Sequence, residues 1–156
     1  MDQLDRNLIR ILQRDAKTPF TKIAKELKHP DTTIHFRARR LKENNIVSRY
    51  CALVRPEAFG FNTGTLLRIE IGGHIVAGVS KDRTRTFAQE LAHEDHFLWI
   101  AVDEETMTIH AVMLGGDDTD LERKADQLKQ SPDVINVTVI PIGSIVKGWE
   151  LSGLPE

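Results

Sequence analysis

The 156-residue chain is predicted to be an α+β protein: an N-terminal three-helix unit containing a helix-turn-helix, a linker strand, and a C-terminal βαββαβ unit. Three observations predict it. Apolar residues recur at helical spacing from Leu4 to Leu41, and several segments after Gly60 alternate at strand spacing. The charge also changes sign along the chain. Residues 1–50 hold 12 Lys/Arg against 6 Asp/Glu, and residues 51–156 hold 9 against 17, within a net charge of −2. A basic piece joined to an acidic remainder implies two units with different partners. Beside a polyanion the acidic unit would be repelled, so it is expected to be held away from it.

Composition narrows the class. With 40% hydrophobic and 28% charged residues the chain has enough apolar content to build a core. Its longest apolar run, Phe97 to Val102, is too short to span a bilayer, and MDQLDRNL at the start is no secretory signal. The single cysteine, Cys51, excludes an intrachain disulfide and a Cys-based zinc site. The expected location is the cytoplasm, with no membrane partner and no cofactor.

In the N-terminal unit, Leu4, Leu8, Ile11 and Leu12 form the stripe of a helix of roughly 14 residues. Asp2 lies near its start, where the helix dipole favours an acid. Thr18 is the expected N-cap of a second helix and Pro19 its first residue, with Ile23, Ala24 and Leu27 inward. Lys28-His29-Pro30 makes the turn, because Pro30 cannot continue a helix. The third helix begins at or beside Asp31, buries Ile34, Ala38 and Leu41, and stops at Asn44-Asn45, where Asn tolerates a left-handed conformation.

With those three residues inward, Thr32, Thr33, His35, Phe36, Arg39, Arg40 and Glu43 face outward, as a helix entering a DNA major groove requires. The threonines suit phosphates or bases, and the arginines suit guanine O6/N7 or phosphate. His35 or Phe36 suits bases or a thymine methyl. An exposed Phe has little use on a solvated helix face. Lys42 near the end of this helix, with Thr18 and Lys22 before it in the chain, completes the candidate DNA-contact set of the unit. Replacing Arg39 or Arg40 with alanine is expected to weaken DNA binding by roughly 1–3 kcal/mol and to leave the fold intact.

These residues carry a resemblance to the Lrp/AsnC (feast/famine) family of transcriptional regulators. It runs through Leu4-Asp5-Arg6, Ile9, Leu12-Gln13-Arg14-Asp15, Ile23-Ala24 and Leu27, then Thr33-Ile34-His35, Arg37, Arg40-Leu41-Lys42-Glu43, Ile46-Val47 and Tyr50. Pro56-Glu57-Ala58-Phe59-Gly60-Phe61 resembles the end of the family's linker. The match is specific over residues 4–61 and looser beyond. Lys28 stands where the family often has Gly, and Pro30 where it usually has a capping Ser, so capping should shift to Asp31. Arg37 lies at the inner edge of the helix, placed either to pair with Asp2 or Asp5 or to contact DNA.

Val47 to Val54 is β-prone. The resemblance implies that this strand pairs with its copy in a second subunit, with Arg49 near the DNA backbone. After Gly60, Leu67, Ile69 and Ile71 share one strand face, with Leu66, Arg68 and Glu70 opposite. A helix burying Val79, Phe87, Ala88 and Leu91 follows, starting after Ala77. Then come a strand from Phe97 to Val102, a turn at Asp103-Glu104-Glu105, and a hairpin partner from Thr106 to Leu114. A helix packing Leu121, Ala125 and Leu128 and a strand from Val134 to Ile140 complete a ferredoxin-like order. The expected division is residues 1–46 for DNA binding, 47–61 as linker, 62–147 as effector and oligomerisation domain, and 148–156 as tail. Within the tail, Trp149 is a candidate for packing on a neighbouring subunit.

Both helices should cover one sheet face, leaving Leu66, Leu98, Ile100 and Val112 partly apolar on the other. At about 25 cal/mol per Å² their burial is worth several kcal/mol, which favours a two-fold dimer. The resemblance implies the same pairing, with assembly on to tetramers or octamers. Two recognition helices about one helical turn (~34 Å) apart would read a pseudo-palindrome.

The resemblance further implies an amino-acid pocket near a subunit boundary, built from a Gly-Asp-x-Asp-like turn and a Thr-x-Thr pair. Here the turn reads Val102-Asp103-Glu104-Glu105, with Val102 at the Gly position, and Val137 and Val139 flank Thr138. Either the usual response is missing, or the effector differs. The three acids would favour a ligand with a cationic side chain. His93-Glu94-Asp95-His96 lacks the HExxH spacing of a metal site, and no catalytic set stands out, so no enzyme is expected. Two other readings stand beside a sequence-specific regulator: an architectural DNA-binding protein without effector control, and a metabolic sensor or interaction module.

Overall fold

The computed structural model describes residues 1–73, 77–146 and 148, without the side chain of Ala77. The chain divides into two compact units, Met1–Ala52 and Leu53–Glu156.

The first unit is three helices: α1 (Gln3–Arg14), α2 (Phe20–Leu27) and α3 (Asp31–Glu43). Asp2 is the N-cap of α1 and forms a reciprocal capping box, its carboxylate accepting from the Asp5 N–H (2.9 Å) while the Asp5 carboxylate accepts from the Asp2 N–H (3.2 Å). Leu8, Leu12, Ile23, Ala24, Ile34, Ala38 and Leu41 form one core, flanked by Leu4, Ile11 and Leu27. The start of α2 differs from expectation. Pro19 occupies the cap position, Thr18 precedes it, and no side chain caps the helix. The Pro19 carbonyl instead accepts from Lys22 and Ile23.

Both turn signals take left-handed backbone. Lys28 has φ 55°, with the His29 N–H donating to the Ala24 carbonyl, so lysine does here what glycine usually does. Asn45 (φ 54°) ends α3 in the same way, the Ile46 N–H reaching the Leu41 carbonyl. Pro30 precedes α3 without a side-chain cap, and Asp31 sits in the first turn rather than as the cap.

Residues 48–53 form no helix or strand, so the linker strand expected there is not present in the single chain; Val54 makes only an isolated bridge. A short 3-10 turn, Pro56–Phe59, closes on Gly60 (φ 82°).

The second unit is β1 (Thr63–Ile71), α4 (Ala77–Leu91), β2 (Phe97–Asp103), β3 (Thr108–Gly115), α5 (Asp118–Lys129) and β4 (Val134–Pro141). The strands are antiparallel in the order β2-β3-β1-β4, the ferredoxin-like arrangement. Leu67, Ile69, Ile71, Ile109, Ala111, Met113 and Val137 turn to the helices and pack on Ala88, Leu91, Leu121 and Ala125. Gly115 is required where β3 meets α5: a Cβ there would lie 2.8 Å from Leu121 Cγ.

Two expectations about facing are corrected. Val79 is 46% exposed, and α4 instead buries Ser80 and Thr84; the Thr84 hydroxyl donates to the Ser80 carbonyl at 2.8 Å. Helix-compatible hydrogen bonding lets small hydroxyl residues take positions that an apolar stripe would otherwise fill. In β2 the register shifts between Phe97 and Trp99, so Phe97, Ile100 and Val102 all face the core while Trp99 faces out with Val112. One extra residue inverts the parity of a strand. Ile100 therefore leaves the expected open face and Trp99 joins it. The tail expected at 148–156, including Trp149, lies outside the described residues apart from Gly148.

Candidate nucleic-acid interface

The site is built on α3. Its buried side carries Ile34, Ala38 and Leu41, which fixes the rotation of the helix and turns out Thr32, His35, Phe36 and Arg39, all exposed. Thr33 is half-buried. The His35 ring stands edge-on to Phe20 (4.7 Å, 89°), with Asp31 3.6 Å from its Nε2. These contacts hold the imidazole against α2. Phe36 has no such neighbour and remains 54% exposed.

A groove of about 610 Å³ runs along this side of α3. Thr32, His35, Phe36, Arg39, Lys42 and the acidic Glu43 line it, joined by Phe20 and Tyr50, which no sequence pattern assigns to the site. Phe20 is the first residue of α2 and resembles an ordinary core aromatic. Tyr50 comes from the segment after α3. No periodicity connects either residue to α3; only folding does.

The arginines divide into two kinds. Among the described residues Arg39 pairs only with Glu43, at 3.6 Å, with both side chains well exposed. Such a pair is weak and leaves the guanidinium available. Arg40 instead donates to Asp5 at 3.0 Å, and Arg37 donates to Asp5 at 3.1 Å and to Asp2. Asp5 is fully buried. The hydrogen bond from the Asp5 N–H and that from Arg37 hold the Asp2 carboxyl below its ordinary range, and the bond to Asp2 raises Arg37. Arg37, Arg40, Asp2 and Asp5 thus form a clamp from α3 to the start of α1. The open choice for Arg37 resolves to pairing. With this contact in place, Arg40→Ala is expected to weaken the fold rather than spare it, because that side chain closes the clamp.

Around the groove, Lys22 is exposed on α2, and the Lys42 ammonium donates to the Ser48 carbonyl. Thr18 is half-buried before α2, and Arg49 is exposed in the segment that follows α3.

Residues 1–42 match the family model of the AsnC-type helix-turn-helix domain. An uncharacterized HTH-type transcriptional regulator of Pyrococcus furiosus, PF0864, is 26% identical over 153 residues, covering 98% of this chain and 94% of that protein. Its solved structure, described as a member of the AsnC family, superposes with a TM-score of 0.82 over 95% of this chain and 93% of that one. Over nearly its whole length the chain is similar to regulators of the Lrp/AsnC family, and its first 42 residues carry the AsnC-type helix-turn-helix. It is a DNA-binding transcriptional regulator, and α3 is the second helix of its helix-turn-helix. The regulator FL11 of Pyrococcus furiosus is 37% identical over 71 residues, 46% of this chain and 47% of that protein. A Neisseria meningitidis regulator solved with L-Met shares the fold, with a TM-score of 0.79 at 16% identity over 94% of this chain and 92% of that one.

The residues expected at an effector pocket do not meet within one chain. Val102 turns to the helix-side core, whereas Thr138 pairs with Arg68 on the other face. Their strands, β2 and β4, are the two edges of the sheet, roughly 14 Å apart at normal strand spacing. The acidic turn is also largely satisfied. Asp103 accepts from the Thr106 hydroxyl (2.7 Å) and the Glu105 N–H (3.0 Å), and the Thr106 bond lowers its pKa. Glu104 accepts from Arg85 Nε (2.9 Å) and Nη2 (2.7 Å) on α4. Glu105 is exposed. The turn therefore offers less free negative charge to a cationic ligand than its composition implies. Among the described residues, no group of three or more His, Cys, Asp or Glu side chains is assembled for a metal, and no helix is long and apolar enough to cross a membrane.

Proposed function

We propose that this regulator reads specific DNA sequences as a dimer or higher oligomer, with the outward side of α3 in the major groove. Arg39 is the principal base or phosphate contact, Thr32, Thr33, His35 and Phe36 lie along the same edge, and Thr18, Lys22, Lys42 and Arg49 hold the backbone. Arg40 acts through the clamp, positioning α3. The observation that carries this reading is the contrast between a loosely paired, exposed Arg39 and an Arg40 bound to buried Asp5. Arg39→Ala is expected to lose about 1–3 kcal/mol of DNA affinity with an unchanged melting temperature. Gel shifts at two salt concentrations check it: steep salt dependence with a retained preferred sequence supports specific reading. Binding without preference supports an architectural role, and failure to bind any duplex supports an interaction module instead.

The open sheet face supports the dimer. Trp99, Val112, Leu66 and Ile140 stand in one row across all four strands, with Trp99 51% and Ile140 47% exposed. The neighbouring row is Ala101, His110, Arg68 and Thr138. An apolar row at the middle of a sheet calls for a second copy. Pairing of residues 47–54 with their copy would supply the ladder that this segment lacks alone.

An amino-acid effector is a second reading, supported by the likeness in fold to the Neisseria regulator solved with L-Met. Its pocket needs residues from more than one subunit, since Val102–Glu105 and Thr138 lie on opposite edges. Calorimetric titration of the assembled protein with the common amino acids is expected to show one of them binding. Heat from none of them removes the effector from the mechanism.

A further inference from the structure

Phe36 is the residue on α3 that the described structure leaves without a role. It is neither core nor capping, and it stands 54% exposed on the side that carries Thr32 and Arg39. The polar groups near it are already committed in different ways. His35 is held by Phe20 and Asp31, and Arg37 and Arg40 are turned back to Asp5. What projects between Thr32 and Arg39 is therefore a flat apolar ring with a cationic neighbour. In a major groove the single apolar group on any base edge is the thymine 5-methyl. A ring that cannot hydrogen-bond gains nothing from the other edge groups, and it excludes water from their donors and acceptors at a cost.

We infer that Phe36 determines sequence preference by packing on a thymine methyl in each half-site. The ligand class is thus a duplex bearing thymine at that position. The groove favours this occupant: Phe20, Phe36 and Tyr50 give it aromatic walls, and Arg39 and Lys42 outnumber Glu43 among its charged lining, matching the methyl edge and phosphates of DNA. This inference rests on the DNA-reading proposal for α3 and adds to it which chemical group is read.

The test first selects bound duplexes from random DNA with the whole protein. Each thymine of the selected site is then replaced by deoxyuridine, which removes only the methyl. At one position per half-site, wild-type protein is expected to bind about fourfold more weakly to the uracil duplex, the fold-change equivalent to about 0.8 kcal/mol for one buried methyl-sized group. Phe36→Ala is expected to bind thymine and uracil duplexes alike, while Phe36→Leu keeps part of the discrimination. Since the side chain is exposed, both variants should show wild-type circular dichroism and melting. The inference is overturned if wild-type protein is indifferent to uracil at every position while retaining a preferred sequence. It is equally overturned if Phe36→Ala keeps the wild-type discrimination. A wild-type protein that binds no duplex overturns the DNA-reading proposal and this inference with it, whereas the first two outcomes leave that proposal standing.

Discussion

Asp5→Ala is expected to lower the stability of the N-terminal unit by about 3 kcal/mol, the usual order for removing one partner of a buried charge pair. Asp5 is fully buried and takes hydrogen bonds from Arg37 (3.1 Å), Arg40 (3.0 Å) and the Asp2 N–H (3.2 Å). Its loss removes half of the capping box and leaves two guanidinium groups facing an apolar gap. Their partial exposure, 23% and 41%, lets water recover some of the loss, which keeps the effect below the top of that range. A unit of about fifty residues has only a few kcal/mol to lose. Hydrogen exchange of the amides of α1 and α3 would show the change directly, with protection collapsing in both helices while β1 and β3 keep theirs. Unchanged protection in α1 would refute the clamp. Arg40→Ala should show the same pattern more weakly, which separates its role from that of Arg39.

The clamp also has a pH signature. Asp2 has a folded-state pKa below its ordinary value of 3.8, so its contribution is complete above that pH and disappears as pH falls through the lowered value. Acid should therefore loosen the junction of α1 and α3.

The second large effect is expected at the open sheet face. Leu66→Asp places a carboxylate in the row formed with Trp99, Val112 and Ile140. Burying those side chains against a second copy is worth on the order of 1.5 kcal/mol or more each, and an unpaired carboxylate there costs several kcal/mol. Sedimentation should show wild-type protein as a dimer or larger and the variant as a monomer. DNA affinity should fall by roughly 100-fold or more, because the second half-site is no longer tethered to the first. Leu66 points away from the helix-side core, so the fold should survive, as circular dichroism would verify. A variant that sediments like wild-type protein would place the interface elsewhere.

The amino-acid sequence by itself determined the helices and strands of the two units and their order, though not the linker strand, which the single chain does not form. Leu8, Leu12, Ile23, Ile34 and Leu41 mark the core of the first unit through a helical period, and Leu67, Ile69 and Ile71 mark a strand through alternation. Such periods survive because one face of each element must be apolar whatever it packs against. The outward position of Arg39 and Phe36 followed from the same rule. Tertiary structure alone decided which of those outward groups are free. Arg39 and Arg40 are adjacent in sequence and identical in chemistry, yet only Arg40 lies within reach of Asp5, 35 residues earlier. The bulge that exchanges Ile100 for Trp99 is likewise set by pairing with β3, not by local composition. Periodicity records which face of an element is buried. Ion-pair partners and strand parity depend on distances between elements, and those exist only once the chain has folded.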